Sequence, residues 1–269
     1  MSSRTTLAKL QTLRDAKRKI VSVTAYDFLF GRLADQAGVD MILVGDSLGM
    51  VVQGADTTLA VTLEEMIYHA RMVNRGVERA FVVCDLPFGS YQESPEAAFR
   101  SASRLMKETG VQAVKLEGGR VMAPTARFLV ERGIPVVGHV GLTPQSVHAF
   151  SGYKVQGRGE KNAEAVSADA AALIEAGVSL FILEGVPSTL ADSITRASPV
   201  PTIGIGAGGG CDGQVLVLQD MLGLYDDVQP KFVKRYLQGA DLVRGALHSY
   251  GDEVRRGLFP AAEHGFGES

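Results

Sequence analysis

Ionic side chains in this sequence stand where short apolar segments end. They are Asp46 after MILVG, Asp85 after FVVC, Lys115 and Glu117 in AVKLE, His139 in PVVGHV and Glu184 after LFIL, with Ser47 directly following Asp46. Short segments rich in β-branched residues predict strands. If these strands form one parallel barrel, their carboxyl ends meet at a single mouth, where enzymes of that architecture carry their active sites. Acid–base and metal-assisted chemistry is therefore expected at that mouth.

The acidic members of this set require a compensating cation. Asp46, Asp85 and Glu117 would bring three carboxylates together, and like charges a few ångströms apart cost on the order of several kcal/mol in a partly dry site. An all-oxygen set with few protein ligands suits Mg²⁺, which keeps water and substrate oxygens in its other positions. Lys115 adds a charge that can hold a substrate anion. Glu184 lies outside the metal set and is a candidate base.

Each of these residues also has a plainer interpretation. A single Asp at a strand end is as often a helix cap as a ligand, but ionic residues at successive strand ends favour the functional interpretation. His139 is expected to be a buried histidine that supports the site, rather than a catalytic residue. The histidines show no HExxH-like spacing, so zinc is not expected. Tyr26 and Asp27 are interpreted as a turn and a helix cap.

The elements that position these residues follow from alternating βα signals. The predicted strands are 20–26, 41–45, 81–85, 113–117, 135–140, 180–184, 201–205 and 215–219. Several are apolar on both faces, as in sheets covered by helices. The helices between them carry recognisable ends. Thr62 with Glu65 forms a capping box, Ser94-Pro95-Glu96 places a cap and a first-turn proline in order, and glycines follow the helical runs at 110, 133 and 177.

Eight strands in single file, without a Ser/Pro-rich linker, predict a (β/α)8 TIM barrel of the α/β class. The interpretation is one domain over 1–269, with its core at about 20–225 and extra N- and C-terminal helices, the latter at about 230–258. The tail 260–269 is expected to be flexible. An open, doubly wound sheet is the alternative architecture.

Composition excludes several classes of protein. The 269 residues are 46% hydrophobic and 21% charged, with a net charge of −3, so general disorder and nucleic-acid binding are not expected. The cysteines, Cys84 and Cys211, have no metal-type spacing and favour a reducing, cytoplasmic compartment. Neither a secretory signal nor an apolar run of membrane-spanning length is found, so no membrane partner is expected.

Five segments in order resemble the ketopantoate hydroxymethyltransferase family. They are VGDSLGMVVQG, DLPFGSY, VKLEGG, GHVGLTPQSVHAFSGYKVQGR and GIGAG…CDGQVLVLQD, and the similarity runs from about residue 20 to about residue 225. GHVGLTPQS with GYKVQGR is the most specific part. VGDS also occurs in the wider phosphoenolpyruvate mutase/isocitrate lyase superfamily.

The resemblance implies transfer of a hydroxymethyl group from 5,10-methylenetetrahydrofolate to 3-methyl-2-oxobutanoate, giving 2-dehydropantoate on the way to pantothenate. It implies one Mg²⁺ per subunit and a homo-oligomer, a decamer in the family. By position, Asp46, Asp85 and Glu117 match the magnesium residues, and Glu184 matches the proton acceptor. The oxo-acid contacts match Asp46, Ser47, Asp85 and Lys115.

Rival functions remain open at this point. The glycines of GIGAGG at 204, 206 and 209 satisfy the GxGxxG spacing of dinucleotide-binding proteins, but the chain then passes into another apolar strand instead of a helix. Another Mg-dependent oxo-acid lyase or mutase of the same superfamily is the main alternative. Such lyases often use a cysteine in a mobile loop, a position that suits neither Cys84 nor Cys211. A non-catalytic barrel scaffold is the third.

Overall fold

A computed structural model describes residues 4–225 and 229–267 of the chain. Eight parallel strands close into one barrel in sequence order, each hydrogen-bonded to the next and β8 to β1. The strands are β1 Ile20–Thr24, β2 Met41–Val44, β3 Phe81–Asp85, β4 Ala113–Glu117, β5 Val136–Gly141, β6 Leu180–Glu184, β7 Thr202–Ile205 and β8 Gly213–Leu216. The predicted (β/α)8 fold is therefore confirmed, and the doubly wound alternative is wrong.

Ten α-helices are described. They are α1 Leu7–Asp15, α2 Phe28–Gln36, α3 Leu48–Val51, α4 Leu63–Gly76, α5 Pro95–Thr109, α6 Ala123–Val130, α7 Glu160–Glu175, α8 Ser188–Ala197, α9 Leu218–Met221 and α10 Gly239–Arg255. The predicted ends are found where they were expected. Thr62 and Glu65 form the capping box of α4, Ser94 caps α5, and Gly110 ends α5 in the left-handed conformation at φ 77°. No helix within the described ranges is long and apolar enough to cross a membrane.

The barrel interior is filled by alternate residues of its strands. Met41 and Leu43 of β2 and Leu180 and Ile182 of β6 belong to this buried cluster. Leu10 of α1 joins the same cluster, so the additional N-terminal helix helps to fill the interior. Side chains two apart on a strand share a face, which explains why every second residue points inward.

Strand β8 differs from the prediction of 215–219. Gly213 pairs with both Ile20 and Ile203, so the strand begins two residues earlier than the apolar run suggested. It also ends earlier, because the backbone N–H of Leu218 donates to Thr24 Oγ1 at 3.0 Å as α9 begins. β1 likewise ends at Thr24 instead of residue 26, and Asp27 caps α2 as predicted by accepting from the Phe30 N–H at 2.9 Å.

The glycine-rich segment after β7 is a loop that leads into β8 at Gly213 without an intervening helix. It therefore lacks the helix N-terminus on which a dinucleotide pyrophosphate would rest. Cys84 lies within β3 and is buried, as is Cys211. Neither cysteine has the exposed position expected of a catalytic thiol.

Backbone contacts divide the chain into one unit over Met1–Leu218, which contains the barrel, and a second over Gln219–Ser269. Within the second unit α10 begins at Gly239, later than the predicted 230. Its first amides are satisfied there, because Gly239 donates to the carbonyl of Leu222 at 2.8 Å and Ala240 to that of Gly223 at 2.9 Å. A 3₁₀ helix spans Ala262–His264, and residues 268–269 of the predicted flexible tail lie outside the described residues. The single-domain interpretation stays a prediction.

Candidate active site

Strand alternation leads from the apolar interior directly to an ionic mouth. Val83 of β3 lies in the core cluster, and the next residue on the same face is Asp85. On β6 the same step leads from Ile182 to Glu184. Because the period of a strand is two, the residues that end these strands must share the face of the core residues before them. The predicted site residues that lie on strands, namely Asp85, Lys115, Glu117, His139 and Glu184, therefore face the barrel interior at the carboxyl ends of the strands.

Strand register joins five of these side chains into a continuous row. Asp85 is paired with Lys115, and Glu117 is paired with His139. Lys115 Nζ lies 3.0 Å from Asp85 Oδ1 and 3.5 Å from Glu117 Oε1. His139 Nδ1 lies 3.3 Å from Glu117 Oε1, and its Nε2 lies 3.3 Å from Glu184 Oε2. We call Asp85, Lys115, Glu117, His139 and Glu184 the ionic row.

Asp46 and Ser47 flank the ionic row at the end of β2. Asp46 is buried, and its backbone N–H donates to Asp85 Oδ2 at 3.1 Å, which holds the Asp85 carboxylate toward β2. Ser47 is half-buried, and its Oγ lies 2.8 Å from the hydroxyl of Tyr26. All seven predicted site residues are thus brought to one end of the barrel. Tyr26, interpreted from sequence only as part of a turn, contacts one of them.

Burial dominates the acid–base properties of the carboxyl groups near β2 and β3. It raises the pKa of Asp46 well above its ordinary value, and the charges of Asp85 and Glu117 raise it further. Burial also raises the pKa of Asp85, although Lys115 opposes the shift. Two buried carboxyls that resist ionisation beside one ammonium group indicate a site that needs more positive charge.

The other members of the ionic row stabilise one another's charged forms. Burial disfavours the charge on Lys115, but Asp85 and Glu117 outweigh it and raise the pKa of the ammonium group. Burial would raise the pKa of Glu117, yet Lys115 and His139 lower it. Burial and Lys115 both disfavour the imidazolium form of His139. Glu117 and Glu184 reverse that effect and raise its pKa to about 9.

Gln145 is a site residue that the sequence analysis did not identify. It lies in a 3₁₀ turn over Pro144–Ser146, and its backbone N–H donates to Glu117 Oε2 at 2.9 Å. Its side-chain Nε2 donates to Asp46 Oδ2 at 2.8 Å and to the carbonyl of Leu86 at 3.0 Å. One buried residue therefore holds two carboxylates, one just after β2 and one at the end of β4.

Tyr91 supports Gln145 from the loop after β3. Its hydroxyl donates to Gln145 Oε1 at 2.6 Å and accepts from the backbone N–H of Glu117 at 3.0 Å. Both residues belong to segments that carried the family resemblance, DLPFGSY and GHVGLTPQS. Neither side chain is charged near neutral pH, so a prediction based on charged residues at strand ends does not include them.

The donor atoms at the mouth suit a hard cation. Asp46, Asp85 and Glu117 offer only oxygens, and all three side chains are buried, with Asp85 Oδ1 3.0 Å from Lys115 Nζ. Within residues 4–225 and 229–267, no three His, Cys, Asp or Glu side chains form a ready-made metal cage. Mg²⁺ does not require one, because it usually keeps several waters and binds substrate oxygens in addition to protein carboxylates. The residues present therefore fit magnesium by their chemistry.

The chain is similar to proteins of one enzyme family. Residues 4–262 match the family model described as ketopantoate hydroxymethyltransferase. The 3-methyl-2-oxobutanoate hydroxymethyltransferase of Magnetococcus marinus is 56% identical over 266 residues, 99% of this chain and 99% of that protein.

Solved structures of similar fold are more distant in sequence. Phosphonopyruvate hydrolase in complex with oxalate and Mg²⁺ superposes with a TM-score of 0.63 at 12% identity, covering 97% of this chain and 93% of that one. The phosphoenolpyruvate mutase/isocitrate lyase superfamily member 2,3-dimethylmalate lyase gives 0.58 at 20% identity, covering 93% and 98%. At these identities the likeness shows the fold alone. The family match and the Magnetococcus relative go further, and this chain belongs to the ketopantoate hydroxymethyltransferase family, a family of enzymes of pantothenate biosynthesis.

Proposed function

We propose that the chain transfers a hydroxymethyl group from 5,10-methylenetetrahydrofolate to 3-methyl-2-oxobutanoate, giving 2-dehydropantoate. The ionic row is the observation that carries this proposal. Forming an enolate from a 2-oxo acid requires cationic groups for the substrate's oxygens and a base for the adjacent carbon. The row offers a buried ammonium group near one end and a carboxylate at the other. The name of the Magnetococcus relative supports the same oxo acid and the same transferred group.

The oxo acid binds between β2 and β4 in this proposal. Asp46, Ser47, Asp85 and Lys115 are its contacts. Lys115 is the charged donor among them, and its pKa is raised by the neighbouring carboxylates, so it stays protonated throughout the reaction. A buried ammonium group forms strong, charge-assisted contacts with a substrate carboxylate or with the enolate oxygen.

Asp46, Asp85 and Glu117 would hold Mg²⁺. Bound there, the ion supplies Lewis acidity that stabilises negative charge on the substrate's ketone oxygen. Two observations support this assignment. The raised pKa values of Asp46 and Asp85 call for additional positive charge at those carboxylates. The related barrel of phosphonopyruvate hydrolase was solved with Mg²⁺ and oxalate.

Glu184 is the proposed base that removes the proton from the carbon beside the ketone. It contacts neither Asp46 nor Asp85 among the described hydrogen bonds and ion pairs, so its carboxylate is not engaged in the proposed metal set. Its side chain is 17% exposed, more than that of His139 at 2%. His139 positions this base, since its two ring nitrogens lie 3.3 Å from Glu117 and 3.3 Å from Glu184. The enolate carbon then forms a carbon–carbon bond to the one-carbon unit. The bonds from that unit to the folate nitrogens break, tetrahydrofolate leaves, and water supplies the hydroxyl oxygen of 2-dehydropantoate.

The main alternative, another Mg-dependent oxo-acid lyase or mutase, has no specific observation in its favour. The superfamily members of that type named above are 12% and 20% identical, against 56% for the hydroxymethyltransferase. The cytoplasmic location and the homo-oligomer, a decamer by family resemblance, stay predictions.

An omission assay tests the proposal. The purified chain is incubated with 3-methyl-2-oxobutanoate, methylenetetrahydrofolate and Mg²⁺, and 2-dehydropantoate is measured with each component left out in turn. Product should require both organic substrates, and exhaustive chelation should abolish it until Mg²⁺ is restored. Full activity after chelation would refute the metal assignment. Product without the folate would refute the proposed one-carbon donor.

A further inference from the structure

A cleft of about 680 Å³ opens at the ionic row, and apart from Glu117 its lining residues were given no part in the chemistry proposed above. It lies between the loops that follow β3, β4 and β5, and Glu117 and Gln145 form part of its wall. Pockets that bind ligands of drug size have volumes of roughly 300–1,000 Å³. A five-carbon oxo acid would leave most of this space unused, so the cleft has room for a larger second molecule next to the proposed enolate.

The outer wall of the cleft is apolar and aromatic. Phe88 is 49% exposed and Val121 is 82% exposed, and both line the cleft together with Met122 and Phe150. Large apolar side chains are costly to leave in water, and their concentration around a concavity marks a binding site. Aromatic side chains also offer flat faces on which a planar ring system can stack.

The inner wall carries polar groups without protein partners. Thr143 lines the cleft and is only 5% exposed, yet its hydroxyl forms no hydrogen bond with any described residue. The hydroxyl of Ser146, which also lines the cleft, is likewise without a partner among the described residues. Hydroxyl groups on the wall of a cleft that have no protein partner are available to a ligand that supplies donors or acceptors.

We propose that this cleft binds the pterin and aryl rings of the one-carbon donor. The rings would stack against Phe88 and Phe150, and the hydroxyls of Thr143 and Ser146 would pair with the amide-like edge of the pterin. This arrangement delivers the one-carbon unit at the Glu117 end of the cleft, beside the ionic row. The inference rests on the proposed function, because it assumes a folate donor.

A fluorescent reporter tests the location directly. The chain contains no Trp, so Val121→Trp introduces a single indole at the rim of the cleft. Titration with 5-formyltetrahydrofolate, a stable analogue of the donor, should quench its emission saturably. The matched control Leu33→Trp, at a position 55% exposed on α2, should show only the non-saturable loss caused by ligand absorbance. Equal, non-saturable quenching in both variants would overturn the assignment.

Truncation of the walls gives a second, independent measurement. Phe88→Ala should raise the KM for methylenetetrahydrofolate about tenfold, the usual scale for an aromatic contact in a binding site, while the KM for the oxo acid changes less than about twofold. Thr143→Val keeps the shape and removes the hydroxyl, and should raise the donor KM several-fold. Leu33→Ala is the control that should leave both KM values unchanged.

The two hypotheses fail in distinguishable ways. A parent enzyme that makes no 2-dehydropantoate from the complete mixture refutes the proposed function. An active parent whose Phe88→Ala and Thr143→Val variants keep the parent's donor KM refutes the cleft assignment alone. Because Phe88 is half exposed, its truncation leaves the core intact and the result interpretable.

Discussion

Replacing Glu184 by Gln isolates the proposed proton abstraction from every other role of the site. The substitution keeps the size of the side chain and removes one carboxylate oxygen. The backbone there is anchored independently of the side chain, since the carbonyl of Glu184 accepts from the Leu142 N–H at 2.8 Å and Glu184 pairs with Gly141 and Ile205. The variant should therefore fold with the ionic row otherwise in place.

The expected loss is set by the chemistry of the base. General-base catalysis contributes roughly 10²–10⁴-fold, so the rate of proton removal should fall by at least about a hundredfold, a rise in the barrier of about 2.7 kcal/mol. The ion pair between His139 and Glu184, at 3.3 Å, would lose its negative charge, and neither Asp46 nor Asp85 would be altered. Affinities for Mg²⁺ and for the oxo acid should accordingly change little.

Deuterium exchange measures this step alone. The enzyme, Mg²⁺ and 3-methyl-2-oxobutanoate are placed in deuterated water without folate, and proton NMR follows the signal of the proton beside the ketone. Calorimetry measures binding separately, and Glu175→Gln, at a side chain 82% exposed, is the matched control. Exchange by Glu184→Gln at the parent rate would refute Glu184 as the base. A parent enzyme that never exchanges without folate would refute stepwise deprotonation itself.

Further predictions follow from the same geometry. Lys115→Ala should weaken oxo-acid binding roughly ten- to a hundredfold, the loss of one charge-assisted contact at about 1.5–3 kcal/mol, with little effect on folate binding. Equal losses in calorimetric titrations of both ligands would show that Lys115 is structural. Asp85→Ala should weaken the binding of both Mn²⁺ and the oxo acid. Electron paramagnetic resonance of Mn²⁺ measures the metal affinity, and an affinity equal to the parent's would contradict the proposed double role of Asp85. Gln145→Leu should also weaken Mn²⁺ binding, because it removes the side-chain hydrogen bond to Asp46, and unchanged binding would mean that the bond does not position that carboxylate. Burial raises the pKa values of Cys84 and Cys211, so less reactive thiolate is present at pH 8 than in a free thiol. Ellman's reagent should therefore react slowly with the native chain and rapidly with both thiols after denaturation, and rapid labelling of either thiol in the folded chain would contradict the burial.

Much of the site was accessible from sequence because strand ends can be recognised locally. An apolar, β-branched segment that ends in Asp, Glu or Lys predicts both the end of the strand and the type of functional group found there. Alternation then assigns the face, as it did for Lys115 and Glu117, which both belong to the inward series of β4. The helix ends were equally local, since a capping box or a C-terminal glycine depends on residues within one turn.

The bounds of β8, the strand that closes the barrel, were harder to predict from the sequence. The apolar run VLVLQ suggested β8 at 215–219, but pairing with β1 and β7 moved the strand to Gly213–Leu216. Glycine and glutamine contribute little to a hydrophobic pattern. The hydrogen bonds to neighbouring strands decide whether such residues belong to β8. One of those neighbours, β1, lies almost the whole length of the barrel away in sequence.

The sequence by itself determined which ionic groups reach the mouth, because strand periodicity is a local property of the chain. Only the tertiary structure decided which of them touch. Closing the barrel paired Asp85 with Lys115 and Glu117 with His139, and it brought Gln145 to Asp46 across 99 positions of sequence. Such contacts depend on strand register and on the path of loops. Both are set by long-range packing, and no local pattern of residues records either of them.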